Sequence, residues 1–327
     1  MSTQSKEDWD KFLRQIAAAR KHCGVEERTK DGKPGDAEAW FRGHSRSSYQ
    51  LLPSLFRGFE NPNDDTKKKG RPSNWSEVFY KESDLYWEFA ARAKELHGVL
   101  DDDWDILFAM QHYGTPTRLL DWTESLAVAI YFAVLGVDEA SADEEFVDGC
   151  RRNEEGEWKI ESPCVWVLNP YALNDTPRWV QKGGEPDLVH PPYLGWDEEE
   201  NEYYSYGELL SYGRMDWKWP AAIYPRQKNA RIHAQRAWFT IHGDEFVPME
   251  EIPGHDDYLK KVKLPFTAVS EAKDFLTMAG VDHYLLFADL ESLSLHLMEK
   301  NGLISRKEAE KRAKDRIDRR DIVPRKK

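Results

Sequence analysis

One stretch, Met110-Gln111-His112-Tyr113-Gly114-Thr115-Pro116-Thr117-Arg118-Leu119-Leu120-Asp121-Trp122-Thr123, constrains this chain more than any other. It crowds His, Tyr, Thr, Arg, Asp and Trp around a Gly-x-Pro turn, and an apolar run from Leu126 to Leu135 follows it. A polar group buried beside such a run without a partner costs about 1–3 kcal/mol. These side chains therefore satisfy one another or face a ligand.

The chain's 327 residues, 40% hydrophobic and 13% aromatic, can bury a core large enough for one large domain or two ordinary ones. No apolar run approaches the roughly 18 residues of a membrane span, and Met1 to Asp8 lacks the apolar core of a signal peptide. Cys23, Cys150 and Cys164 are too few and too spread for a disulfide framework or a zinc site, so a cytoplasmic location is expected. The net charge of -13 weighs against a protein that coats nucleic acid, because phosphate contacts need cations. A local basic groove stays open, since Ser305 to Lys327 carries eleven Lys/Arg against five Asp/Glu.

Helical spacing of Trp9, Phe12, Leu13 and Ile16 predicts a helix over 7–23. A turn-rich connector, Thr29 to Gly35, and a polar loop, Asn61 to Ser73, flank a strand at Ala39–Gly43. Val78, Phe79, Leu85, Phe89, Ala93 and Leu96 mark the apolar face of a helix over 76–97. Asp103 to His112 continues as a helix closed by Tyr113-Gly114. A buried helix is expected from Thr123 to Leu135, capped by Thr123 or Asp121. Strands are expected at Cys164–Leu168, Ala221–Pro225, Ala237–Ile241 and Val262–Pro265. The acidic, aromatic segment 174–216 has no clear period. Ser270 to Ala279 reads as a helix capped by Ser270 and stopped by Gly280, with a further helix over 286–299 and a charged one after Ser305.

Three polar clusters stand out. Arg42, after two aromatics and before Gly43, can grip a phosphate or carboxylate bidentately, or form an interior ion pair. Arg118 and Asp121 are spaced to pair on one helix face, which leaves Gln111, His112, Tyr113, Thr117 and Thr123 to be explained. In Arg231-Ile232-His233-Ala234-Gln235, strand alternation puts Arg231, His233 and Gln235 on one face, toward solvent or a cleft. A phosphate-binding Gly-rich loop with Lys-Ser/Thr, a Gly-x-Ser-x-Gly elbow and a His-Glu-x-x-His pair are all missing from the sequence.

Trp40-Phe41-Arg42-Gly43-His44, Leu51-Leu52-Pro53-Ser54-Leu55-Phe56-Arg57, and Gln111 to Thr123 with Ala129-Ile130-Tyr131-Phe132-Ala133 resemble the motifs of the FRG domain family, named for its Phe-Arg-Gly. Arg231 to Gln235 with Phe239 resembles its third motif. Ala279-Gly280-Val281 with Leu286-Phe287-Ala288-Asp289-Leu290 resembles its C-terminal end, with Ala288 in place of the usual Pro. The resemblance runs from Ala39 to Leu290.

FRG domains resemble ADP-ribosyltransferases in motif order, and some members resemble toxins of toxin–antitoxin and anti-phage systems. The resemblance implies an α+β fold: an ADP-ribosyltransferase-like split β-sheet core with N-terminal and flanking helices. It divides the chain into an N-terminal helical extension (1–38), the FRG domain (39–300) and a basic C-terminal helical tail (301–327). It implies an NAD-dependent ADP-ribosyltransferase with NAD as co-substrate and no metal. Carried across by motif order, Arg42, Thr123 and Gln235 are the catalytic set. Arg42, Gly43, His112, Tyr113, Thr117, Arg118, Asp121, Trp122 and His233 are expected around the cofactor, with Tyr113 and Trp122 stacking on a ring. Gln235 stands where transferases usually carry Glu. It can bond the ribose 2′-hydroxyl, but it brings no charge to an oxocarbenium-like transition state and cannot act as a base. The acceptor implied is a nucleic acid, RNA ahead of DNA, or a protein; an antitoxin or chaperone is an expected partner, and a membrane is not. Two alternatives are a non-catalytic module that senses a nucleotide or phage protein, and a structural partner in a defence complex whose polar clusters are interior networks.

Overall fold

The computed structural model describes residues 3–25, 39–57, 75–97, 102–137, 150–152, 158–160, 162–175, 196–197, 202–203, 205–212, 217–224 and 230–320. The connector at 29–35, the loop at 61–73 and much of 174–216 lie outside them.

Helix α1 (Thr3–His22) turns Phe12, Ile16 and Ala19 inward at helical spacing. Strand β1 (Trp40–His44) and the short α2 (Ser54–Arg57) lead to α3 (Trp75–His97). The buried face of α3 is Val78, Phe79, Glu82, Tyr86 and Ala93, whereas Leu85 and Leu96 are 37% and 88% exposed. That corrects the expected apolar face. Glu82 faces inward because it has buried partners, and a pattern that counts only apolar residues is misaligned by it.

Helix α4 (Asp103–Tyr113) starts where the Asp102 carboxylate accepts from the Asp105 N–H at 3.0 Å, and ends at Gly114, whose φ of +79° suits glycine. The next element is a strand, β2 (Leu119–Thr123), not the start of a helix. Its whole length pairs with a later strand, β9 (Ala237–Ile241), from Leu119↔Ile241 to Thr123↔Ala237, so the backbone of Asp121-Trp122-Thr123 is committed to the sheet. The expected pairing of Arg118 with Asp121 on a helix face therefore does not form. Helix α5 (Leu126–Val134) begins three residues later than expected, and Ser125, not Thr123 or Asp121, accepts from the Val128 N–H.

Two short antiparallel pairs follow, β3 (Cys150–Arg152) with β4 (Trp158–Ile160) and β6 (Trp196–Asp197) with β7 (Glu202–Tyr203). Between them lie β5 (Cys164–Leu168), buried throughout, and α6 (Pro170–Asn174), capped by Asn169. Helix α7 (Tyr206–Tyr212) precedes β8 (Ala221–Ile223). The expected strand around 231–235 is a helix, α8 (Ala230–Gln235). Arg236, at φ +45°, then breaks the chain into β9 (Ala237–Ile241). Arg231, His233 and Gln235 thus do not share a strand face.

Strand β10 (Leu259–Lys263) is followed by α9 (Val269–Met278), which has no side-chain cap at Ala268. Ser270, the expected cap, sits inside the first turn and donates to Glu271. Gly280, at φ +66°, follows the end of α9, as expected. The expected helix over 286–299 is two, α10 (His283–Phe287) and α11 (Leu290–Lys300). Ala288 at φ +47° and a reciprocal Asp289–Ser292 capping box separate them. Helix α12 (Arg306–Arg320) packs back on this pair, where Arg316 forms an ion pair with Asp289.

The architecture is α+β. Six antiparallel strands run in the order β10-β5-β1-β2-β9-β8. Most neighbours share ladders of three to five residue pairs, but β1 and β2 share a single one, Phe41↔Thr123. The sheet is thereby split into two halves. Side chains alternate across it. One face is a shared layer that includes Trp40, Trp122, Trp166 and Leu168. The other face is covered half by half: α1, α5 and α9 pack on β1, β5 and β10, while α3, α4 and α7 pack on β2, β8 and β9. Helix α12 reaches the first of these cores through Ala313. No described helix is long and apolar enough to cross a membrane.

Candidate functional site

Where β1 and β2 diverge, and the two helical layers leave the seam uncovered, there is a cleft of about 210 Å³. Arg42 and His44 of β1 line it, with Asp121 and Thr123 of β2, Gln111 of α4, Phe132 of α5, Arg231 and Gln235 of α8, and Lys314 of α12.

Arg42 is anchored rather than loose. Its Nη1 donates to the Asp121 carbonyl at 2.7 Å and lies 3.9 Å from the Asp121 carboxylate, and its side chain is 17% exposed. Its Nε lies 3.0 Å from Nε2 of His44, while the Trp166 indole N–H lies 3.3 Å from Nδ1. Burial, then the charge of Arg42, pushes the His44 imidazole well below its usual range, so it is neutral. A neutral ring has one acceptor nitrogen, and the shorter contact selects Arg42 as its donor. The guanidinium thus spans the seam, bonded to both strands.

Asp121 is half exposed, and it is the carboxylate among the described residues lining the cleft. Gln111 Nε2 donates to it at 2.7 Å, and the Gln111 carbonyl accepts from the Thr117 hydroxyl. This Thr117–Gln111–Asp121 chain orients the carboxylate. Thr123 donates to the carbonyl of Gln235 at 2.6 Å, and its Oγ1 accepts from the Ser125 N–H at 3.0 Å. One hydroxyl therefore ties the end of β2 to α8 and to the start of α5. The Gln235 amide donates to the Leu286 carbonyl at 3.2 Å.

Of the residues expected at the site, Arg42, Gly43, Asp121, Trp122, Thr123 and Gln235 line this cleft. Trp122 does so without aiming its ring there: the indole is buried on the opposite face and donates to Thr240 Oγ1 at 3.1 Å. Gly43 has a packing role as well, since a Cβ there would sit 1.8 Å from the Ala129 carbonyl oxygen. His112, Tyr113, Thr117, Arg118 and His233 do not line the cleft. His112 and Tyr113 stack edge to face at 4.7 Å, and Tyr113 is 52% exposed. Thr117 acts at one remove, through Gln111. His233 is exposed on α8. Arg118 is completely buried, paired with Glu82 and donating to the His242 carbonyl at 2.8 Å, while the Tyr206 hydroxyl also donates to Glu82.

Sequence reasoning missed Tyr49, Ser54 and Lys314 as lining residues. Tyr49 carries no pattern of its own, and Ser54 belongs to the 51–57 motif, where no site role was assigned to it. Lys314 belongs to the basic tail already noted, but its position over the cleft comes from the packing of α12.

Fold and cleft together define an α+β domain whose split antiparallel sheet presents a charged, hydrogen-bonded recess at its seam. Residues 37–142 match the family model of the FRG domain. The segment includes β1, α4, β2 and α5, and so supplies Arg42, Gln111, Asp121 and Thr123. No curated protein and no solved structure matches the chain.

Proposed function

We propose that the seam cleft binds NAD as a co-substrate and that the chain is an NAD-dependent ADP-ribosyltransferase. In this reading it is the toxin of a toxin–antitoxin or anti-phage system and modifies RNA, in preference to DNA, or a protein. The observation that carries the reading is that Arg42, Thr123 and Gln235, distant in sequence, line one recess where the sheet splits. The single β1–β2 pair supports an ADP-ribosyltransferase-like core, with the dinucleotide lying in the split.

The chemistry follows from the charges. Arg42, Arg231 and Lys314 offset the pyrophosphate. The recess is smaller than the roughly 300–1,000 Å³ that encloses a whole small ligand, so one half of the dinucleotide enters and the other lies along the rim. In the transfer, the C1′–N bond breaks and its electron pair neutralises the pyridinium as nicotinamide leaves. A nucleophile on the acceptor then bonds C1′ and releases its proton. Gln235 has no charge to stabilise the ribosyl cation, and Asp121 supplies it from the neighbouring strand, held by Gln111. Asp121 is also placed to take the acceptor's proton.

The test is nicotinamide release from NAD by the purified chain supplied with total RNA, DNA or protein extract, with products read by mass spectrometry for added ADP-ribose. Wild type is expected to release nicotinamide. Asp121→Asn, which keeps the shape and the bond from Gln111, is expected to lose at least about 100-fold, in the range seen when a transition-state electrostatic contact is removed. Full activity in Asp121→Asn and in Arg42→Ala would overturn the assignment of residues. The absence of release with every acceptor would overturn transfer itself.

A second reading, a non-catalytic module sensing a nucleotide or a phage protein through the same cleft, is favoured by one observation. The Gln235 amide is engaged with the Leu286 carbonyl. NAD binding by calorimetry without nicotinamide release selects this reading.

A further inference from the structure

Tyr49 lines the mouth of the seam cleft, and the reading above gives it no part. It ends a turn that follows β1, where its N–H donates to the Arg46 carbonyl at 3.2 Å. The turn is pinned from β10. Lys261 donates from Nζ to the Ser47 carbonyl at 2.8 Å, with its ammonium 4.4 Å from the centre of the Trp166 ring. His44 meets the Tyr49 ring edge to face at 6.0 Å, and the Arg46 guanidinium lies 5.8 Å from the ring centre. The ring is therefore held in place, yet Tyr49 is 46% exposed. An aromatic that is already ordered and still open loses little entropy when something stacks on it.

The charge around this ring runs opposite to that of the whole chain. Burial first, then the charges of Arg42, Arg57 and Lys261, hold the His44 imidazole below its usual range, so cations from β1, α2 and β10 converge there. Register explains the reach of Lys261. It pairs with Trp166, which pairs with Arg42, so three strands place these residues in one row. Two strand spacings of about 4.8 Å put the backbones of Lys261 and Arg42 about 10 Å apart. Lys263 shares the next row on that face with Cys164 and His44, and is exposed like Lys261. Glu250 and Glu251 oppose these cations, and each is engaged: Glu250 accepts from the Leu51 N–H at 3.1 Å, and Glu251 from Gln50 Nε2 at 3.0 Å. At physiological salt, charges more than about 8 Å away are largely screened. The local grouping, rather than the net charge of -13, therefore decides what binds here.

The dinucleotide leaves these cations unused. Arg42, Arg231 and Lys314 line the cleft and face its pyrophosphate, whereas Arg46, Arg57 and Lys261 lie outside that lining. A second set of cations beside an open aromatic ring, at the entrance to the same cleft, fits an anion that repeats its charge and carries flat rings. That is a nucleic acid with its bases unstacked, because in a duplex both faces of each base are already covered.

We propose that the turn at 45–49 seats a single-stranded nucleic acid, with one base stacked on Tyr49 and the adjoining phosphates held by Arg46, Arg57 and Lys261. The strand then leads into the mouth of the cleft. This rests on the proposed function only in taking the acceptor to be a nucleic acid.

The test is fluorescence anisotropy of a labelled single-stranded RNA, a uridine oligomer of about twelve nucleotides, titrated with the full chain in the absence of NAD. Wild type is expected to bind with a Kd on the order of 10 µM at low salt, and the same strand annealed to its complement at least about tenfold more weakly. Tyr49→Ala should lose about tenfold or more, the worth of one stacked base, while Tyr49→Phe stays within about twofold. Both should keep the wild-type circular dichroism. Lys261→Gln should lower the slope of log Kd against log salt by about 0.7, one phosphate contact. The proposal is overturned by a wild type that does not bind, by a duplex that binds as tightly as the single strand, or by an unchanged salt slope in Lys261→Gln. It is equally overturned by Tyr49→Ala staying within about twofold of wild type, as it would if the ring held the adenine of NAD instead. No NAD enters these titrations, so the outcome is independent of whether the chain releases nicotinamide.

Discussion

Removing the carboxylate of Glu82 gives the sharpest test of how the core around the 110–123 segment is built. Arg118 is wholly buried, and Nε and Nη2 of its guanidinium donate to Glu82 while Nη1 donates to the carbonyls of His242 and Gly243. The Tyr206 hydroxyl also donates to Glu82. In Glu82→Ala the guanidinium stays charged, without a counterion and out of reach of water. Breaking a buried pair from one side costs about 3–5 kcal/mol, and the stranded Tyr206 hydroxyl adds about 1 kcal/mol or more. Against a total stability of roughly 5–15 kcal/mol, that is about a quarter or more of what holds the fold. Urea unfolding followed by tryptophan fluorescence should show the midpoint falling with little change in slope. Replacing both partners, Glu82→Leu with Arg118→Met, should recover most of the loss, because no lone charge remains. The same double variant separates structure from binding: it should keep whatever affinity for NAD the wild type has, since Arg118 does not line the cleft. A Glu82→Ala variant that loses less than about 1 kcal/mol would refute this account, as would a double variant no more stable than the single one.

Gly43→Ala should fail to fold to a soluble product, since the added Cβ would lie 1.8 Å from the Ala129 carbonyl and 2.7 Å from the Ala133 nitrogen, both backbone atoms of α5; a soluble variant with wild-type circular dichroism would contradict this. Burial, aided by Arg118 and Arg42, pushes His242 down to about 3, so the folded state refuses a proton that the unfolded chain takes up near pH 6.5. The stability this provides is complete above about pH 6.5 and declines as pH falls toward 3. By pH 4 the loss amounts to roughly 3 kcal/mol. His242→Leu should flatten the decline in urea stability between pH 7 and pH 4 by about that amount, and an unchanged slope would contradict it.

The elements readable in the sequence were those whose signals are local. The stop at Gly114, the stripe of α1 and the apolar run of β5 all follow from neighbours a few residues apart. Misreadings arose where a long-range partner outweighed the local pattern. Asp121-Trp122-Thr123 looks like a helix entry, yet pairing with β9 makes it a strand. Arg231 to Gln235 alternates like a strand, yet it winds into a helix that the unusual backbone of Arg236 then ends. Leu85 gives way to Glu82 on the inner face of α3 because Arg118 waits there. At the cleft, motif order identified Arg42, Asp121, Thr123 and Gln235. It could not separate them from Arg118, which has the same residue type as Arg42 and lies in the same motif as Asp121. Only the direction each strand gives its side chains decides which guanidinium faces the recess.

The contact at Gly43 also bears on how the recess can admit a guest. Strand and helix touch backbone to backbone there, so the bank that carries Arg42 has no slack and must travel as a single piece with α5. The opposite bank reaches inward through the long arms of Arg231, Gln235 and Lys314. Those arms are held too, Arg231 donating to the His112 carbonyl at 3.1 Å and Gln235 to the Leu286 carbonyl at 3.2 Å, so the shape of the recess is set before anything enters it.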